Sequence, residues 1–147
     1  MTGDIDAANL TSTRIALSVP LVNVYSHPLC ASPVMASLPF DLQDFSVAQA
    51  DETQRTAHSG PPGVNVEVKL IGVDDAAVEN GADPKGALLV RGPPVGKMVG
   101  LEDYVDVHAG SGSEGDEAGH GEGWTPTGVG ARVMSNGAFV ILRAAKA

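Results

Sequence analysis

The 147-residue chain has one cysteine, Cys30, so it can form no internal disulfide and offers too few thiols for a structural zinc site. Aromatic residues are scarce at 4%, which argues against a core built on large rings. Basic side chains number 9 against 18 acidic ones, a formal charge of −9. Such a field repels nucleic-acid phosphates and anionic lipid headgroups, and nucleic acid is not expected as a partner. No run approaches the ~20 apolar residues that a membrane-spanning helix needs. The opening MTGDIDAANL lacks a basic segment followed by an apolar run, so no secretion leader is expected and a cytoplasmic location is. Asn9-Leu10-Thr11 matches a glycosylation sequon, but without a secretion signal the match is a coincidence.

What is present suits one ordered domain. Hydrophobic residues make up 43% and charged residues 18%, too apolar and too weakly charged for a disordered chain. With 18 glycines and 10 prolines, short strands and turns are favoured over long helices. Residues 12–26 read as a short helix ended near Pro20, then a strand over Leu21 to Tyr25. A small, apolar stretch follows to Phe40, and a polar loop from Asp41 closes at Gly60-Pro61-Pro62-Gly63. Val64, Val66, Val68 and Leu70 alternate with polar residues, which predicts a strand with four apolar side chains on one face. An acidic loop through Asp74, Asp75, Glu79 and Asp83 leads to a second strand at Ala87 to Val90, suggesting a meander. Gly92-Pro93-Pro94 stops it. A weaker strand is expected at Tyr104 to Val107, then a flexible glycine-rich acidic loop over 109–123. Gly130 to Met134 and Ala138 to Leu142 flank Ser135-Asn136-Gly137, a hairpin signal.

Isolated chemical motifs are weak. Gly110-Ser111-Gly112-Ser113-Glu114-Gly115 matches a dinucleotide fingerprint as a string, but the acids and glycines that follow oppose a phosphate cradle at a helix start. His27, His58, His108 and His120 lack partners at zinc-site spacing. Cys30 with His27 could form a nucleophile pair, although a structural thiol is the commoner case. The acidic clusters read as a solvated face, without the EF-hand spacing for calcium.

Four ordered segments carry a wider pattern. Val19-Pro20-Leu21-Val22-Asn23-Val24-Tyr25, His58 to Leu70, Gly86-Ala87-Leu88-Leu89-Val90-Arg91-Gly92-Pro93, and Gly123-Trp124-Thr125-Pro126-Thr127-Gly128-Val129-Gly130 with Asn136-Gly137 resemble the adenylate-forming, AMP-binding acyl-CoA synthetases that activate long-chain fatty acids. The resemblance covers about residues 12–143. It implies a mixed α/β, β-rich fold, a short-stranded distorted sheet or open barrel like the latter part of that family's large domain. Flanking tails are expected at 1–11 and 144–147.

The resemblance also implies site roles, and this sequence departs from them where the chemistry lies. The family's tyrosine stacks on adenine, its threonine meets phosphate and its glutamate holds magnesium; here Tyr25 remains while Pro28 and Leu29 occupy the other two positions. Leu29 offers no oxygen to a hard cation. The ribose-gripping aspartate corresponds to Val129, which has no acceptor. Tyr25 and Thr127 are left as residual cofactor-binding positions, with no catalytic residue and no metal ligand. ATP, magnesium and CoA are implied by the family alone, and so is a peripheral association with membranes. The family's phosphate loop and lysine-bearing lid are expected to lie outside this sequence. The expectation is therefore a fragment or pseudoenzyme that does not adenylate acids alone. Its alternatives are a β domain with residual nucleotide or acyl binding, or one that binds a protein partner through its acidic loop. An oligomer or partner is expected to cover an exposed apolar face.

Overall fold

A computed structural model describes residues 5–43, 56–96 and 123–142. Helix α1 spans Ala7–Leu17. It starts five residues before the expected Ser12, because Asp6 caps it, accepting hydrogen bonds from the Ala8 and Asn9 amides at 2.8 and 3.3 Å; such a cap satisfies otherwise orphaned donors. Residues 7–11, expected in an N-terminal tail, thus form the first half of the helix, with Ala7 and Leu10 buried. Ser18, in the left-handed conformation at φ 53°, ends it before Pro20 is reached. Only Val24–Tyr25 of the expected first strand is extended into a ladder, as β1, pairing antiparallel with β2 at Met35–Ala36.

The main sheet is a four-stranded antiparallel meander in the order β3-β4-β5-β6, not closed into a barrel. Its strands are β3 Glu67–Ile71, β4 Lys85–Arg91, β5 Thr125–Val133 and β6 Phe139–Leu142. The expected β3–β4 meander and β5–β6 hairpin are both present. In the hairpin turn Gly137 takes φ 80° and Asn136 Oδ1 accepts from the Ala138 amide at 3.0 Å, the positive φ that Asn-Gly permits. The strand expected from Val64 begins instead at Glu67. Asn65 at φ 63° interrupts the extended backbone, so Val64 is exposed while Val66 is buried. The acidic stretch holds a short helix, α2 at Asp75–Glu79, capped by Asp74, rather than a plain loop. The expected strand at 104–107 and the fingerprint at 110–115 lie outside the described residues, as does the loop at 109–123 except for Gly123.

The core lies between the β1–β2 pair and one face of this sheet. It gathers Tyr25, Val34 and Met35 with Val66, Leu88, Val90, Ala131, Phe139 and Ile141. Central strand β4 buries Leu88, Leu89 and Val90 in succession, as expected of a strand covered on both faces. Burying such side chains contributes roughly 1.5–3 kcal/mol each. The segment 57–63 stitches the two sheets together. The Ser59 amide donates to Phe139 O at 2.7 Å, the Phe139 amide to Gly60 O at 3.0 Å, and the Ala36 amide to Pro61 O at 3.3 Å. Gly60 is required at that crossing, because its φ is 78° and a Cβ there would stand 2.2 Å from Ala36 O.

Large apolar side chains stay exposed around one end of α1: Ile15, Leu17, Val22, Leu38, Phe40 and Leu42. Arg14 draws their segments together, donating to the carbonyls of Leu21 and Asp41. Among the described residues no helix is long and apolar enough to cross a membrane.

Replacing Gly60 by alanine is expected to destabilise the chain by at least about 2 kcal/mol, from left-handed strain and the backbone clash together. Urea unfolding of Gly60→Ala beside the parent sequence checks this; equal midpoints would show that the crossing tolerates a side chain.

Candidate functional site

The site is built on an irregularity in β5. Ala87 pairs with Gly130 and Leu89 with Pro126, so two steps along β4 face four along β5. The excess falls at Thr127, Gly128 and Val129, with Gly128 at φ 69°. A bulge of this kind bends the strand and re-aims its side chains. Leu88 has no ladder partner on β5 at this point, and its carbonyl instead accepts the Thr127 hydroxyl at 2.8 Å. The bulge thereby turns Thr127 and Val129 toward β1.

Between them lies a cavity of about 260 Å³. β1 and the residues after it supply Tyr25, His27 and Pro28; the bulge supplies Thr127 and Val129. Ile5, Ala57 and Ile141 close it with hydrocarbon, and Asn23 and Ser59 add polar edges. Asn23 is fixed in place, its amide nitrogen donating to the carbonyls of Ala57 and His58 at 3.1 Å each.

Tyr25 is 8% exposed, and its hydroxyl is buried without a hydrogen-bond partner among the described residues. Burial raises its pKa above the ordinary 10.0, and the Thr127 side chain beside it offsets part of that rise. The Thr127 hydroxyl proton goes to the Leu88 carbonyl, so Thr127 does not donate to the tyrosine oxygen. An unpartnered buried hydroxyl costs stability.

His27 accepts a hydrogen bond from the Leu29 amide at its Nδ1, at 3.3 Å. That assigns the ring proton to Nε2 in the neutral form. Burial lowers its pKa from 6.5, and the Thr127 backbone opposes the shift. His27 thus serves as a neutral strut between the β1 loop and the bulge.

Both residual positions inferred from sequence, Tyr25 and Thr127, therefore meet in one cavity, with Pro28 and Val129 in its wall. Leu29 does not line it; its backbone ties to Gly96 at 2.7 Å. Trp124, from the same motif as Thr127, also stays outside, with the Arg91 guanidinium 4.7 Å and the Lys69 ammonium 5.9 Å from its ring centre. Cys30 bridges to Val95, its amide bonded to the His27 carbonyl at 2.9 Å and its Sγ 3.8 Å from Ser32 Oγ. His58 is buried, with Nε2 at 3.2 Å from Leu42 O. His108 and His120 lie outside the described residues. Among those described, no three His, Cys, Asp or Glu side chains gather as a metal site. Sequence reasoning did not single out Asn23, Ser59 or the strut role of His27. Their closeness in sequence to Tyr25 and Gly60 was the available signal.

No protein-family model matches the chain, and no curated protein matches it. Solved structures do. The o-succinylbenzoate CoA synthetase MenE from Bacillus subtilis, in complex with the acyl-adenylate intermediate OSB-AMP, superposes with a TM-score of 0.62 at 19% identity, covering 97% of this chain and 31% of that one. The same enzyme in complex with AMP gives 0.60 at 18%, covering 96% and 24%. A variant of the amide bond synthetase Mcba from Marinactinospora thermotolerans gives 0.61 at 20%, covering 97% and 25%. The chain has the fold of one part of these synthetases. It spans about a quarter to a third of their length, and the expected mixed α/β, strand-rich architecture is the one observed, with its sheet unclosed.

A magnesium ion and a nucleotide phosphate are the groups that adenylation would place in such a cavity. They do not fit the described wall: no carboxylate lines it to ligate a hard cation, and no lysine or arginine lines it to meet a phosphate.

Two expectations follow from this geometry. Thr127→Val strands the Leu88 carbonyl and is expected to cost about 1–3 kcal/mol, Thr127→Ser much less, while Tyr25→Phe removes an unsatisfied hydroxyl and is expected to stabilise by about 1 kcal/mol; chemical denaturation of the three variants measures all of this. The second concerns pH. Folded His27 has a pKa below 6.5, so the unfolded chain takes up the proton first as pH falls. Its contribution to stability is full above about pH 6.5 and declines from there down to the folded pKa. Unfolding curves at a series of pH values should lose that component of the slope in His27→Asn, and identical slopes would remove the neutral strut.

Proposed function

We propose that this chain is a segment of an adenylate-forming acyl-CoA synthetase frame, related to the ATP-dependent fatty acid–CoA ligases, that does not adenylate acids by itself. The four sequence segments that resemble that family, with a long-chain fatty acid as the substrate class they imply, support the assignment. A single structural observation carries the loss of chemistry. Tyr25, Pro28, Thr127 and Val129, drawn from opposite ends of the chain, face one cavity whose wall offers hydrocarbon where adenylation needs oxygen. Transfer of an adenylyl group builds charge on the α-phosphate, and donors or a metal must stabilise it. Val129 brings neither, and Leu29 stands outside the wall. What remains is a ligand site centred on Tyr25.

A second reading, compatible with the first, is favoured by the exposed apolar side chains on the segments that Arg14 ties together. Patches of that kind mark contact surfaces, and further polypeptide covering this one would make the frame a structural module.

Incubation of the purified chain with ATP, magnesium and a panel of fatty acids of different length is expected to release no pyrophosphate above an acid-free control. Clear acid-dependent release would defeat the assignment.

A further inference from the structure

We propose that the Tyr25 cavity selects uncharged ligands and binds them without a divalent metal. This rests on the reading of that cavity as the remaining ligand site, and it concerns which chemical class the site accepts.

Three observations lead there. First, the described wall carries no acid or base charged at neutral pH, since its one titratable ring besides Tyr25 is His27. The Leu29 amide donates to that ring's Nδ1, which only the unprotonated nitrogen can accept. None of the described arginines lines it: Arg14 donates to the Leu21 and Asp41 carbonyls, Arg91 pairs with Glu67, and Arg132 lies 3.5 Å from Asp83. An anion entering the cavity would lose its hydration with no counter-charge in the described wall. Second, the whole chain carries −9, so the long-range field opposes the same anion before it arrives. Third, the wall is nonetheless built to hold something polar. Tyr25, more than nine-tenths buried, lines the cavity, and its hydroxyl has no hydrogen-bond partner among the described residues. Thr127 Oγ1 donates to the Leu88 carbonyl at 2.8 Å and accepts from the Val129 amide at 3.5 Å.

The ligand this wall complements has an apolar body against Ile5, Val129 and Ile141. It also carries a neutral carbonyl or ring nitrogen to accept from Tyr25. A cavity of about 150 Å³ takes benzene, so about 260 Å³ has room for a bicyclic ring or a short acyl chain. The departure from the neighbours is specific. Their structures hold AMP and an acyl-adenylate, both anionic, whereas this wall rewards the same kind of molecule once its charge is removed.

Matched pairs test it by titration calorimetry on the full chain: adenosine against AMP, and methyl octanoate against octanoate, each with EDTA and again with magnesium. ATP with magnesium completes the set. The expected result is that in every pair that binds, the uncharged member is at least about tenfold tighter. Magnesium should change nothing. The preference should persist at about 0.5 M salt, where the long-range field is screened and only the wall discriminates. Tyr25→Phe should weaken the uncharged ligand about fivefold or more while leaving the fold intact by circular dichroism.

Tighter binding of AMP, octanoate or ATP–magnesium than of the uncharged partner overturns the selectivity, as does an unchanged affinity in Tyr25→Phe. Those outcomes leave the non-adenylating frame standing. Silence from every ligand overturns the selectivity and the residual site together, and again leaves the frame. Acid-dependent pyrophosphate release would defeat the non-adenylating reading and, because it requires magnesium and ATP to bind, the selectivity with it.

Discussion

The hydrogen bond from the Thr127 hydroxyl to the Leu88 carbonyl is the constraint on which the site depends. Leu88 is buried on the inner strand β4, where the neighbouring strand's bulge withdraws its ladder partner. A buried carbonyl left alone there would be costly. The hydroxyl fills the gap, and in doing so it anchors a distortion of β5 that a regular ladder would erase. Thr127 and Val129 face β1 because of that distortion. Scaffold and site are thus one arrangement: the hydroxyl that satisfies the Leu88 carbonyl also holds the cavity wall in place.

This coupling changes how the substituted positions are understood. Val129 is packed against the core as well as lining the cavity, so its hydrocarbon contributes to folding while giving up an acceptor. Pro28 and Ile141 likewise contribute apolar surface to the cavity. The frame holds together through burial and backbone bonding, neither of which requires the groups that adenylation does. The fold is shared at 18–20% identity with synthetases of known structure, and a shared fold does not by itself fix the chemistry of a pocket.

How much of this was legible in the sequence varied with the kind of signal. The β5–β6 hairpin was readable because Asn136-Gly137 encodes a backbone conformation locally, and β4 because its apolar run is short and bounded by glycine and proline. Val64 misled, since alternation says nothing about Asn65 adopting a left-handed φ that breaks the strand before it starts. α1 began early because one side chain, Asp6, capped it, a local signal outweighed in the reading by the apolar run that follows. The acids at 74–79 looked like solvent-exposed loop, but Asp74 is a cap as well as a charge. Tyr25 and Thr127 were found only through the resemblance. Their meeting depends on a bulge whose register is a tertiary fact, and no spacing along the chain encodes it.

The crossing at Ser59 and Gly60 carries one more consequence, for the exposed margins of the sheet. By exchanging amide and carbonyl bonds with Phe139, those two residues lie along the free side of β6 as a stub of an extra strand, and so blunt one place where a foreign chain could add. On the opposite margin β3 has no such guard among the described residues, but it alternates Glu67 and Lys69 along its length, charges that penalise stacking of a flat, apolar strand. The molecule therefore defends its two borders by different means, one by occupying the hydrogen-bonding groups and one by making their neighbourhood inhospitable to β-augmentation.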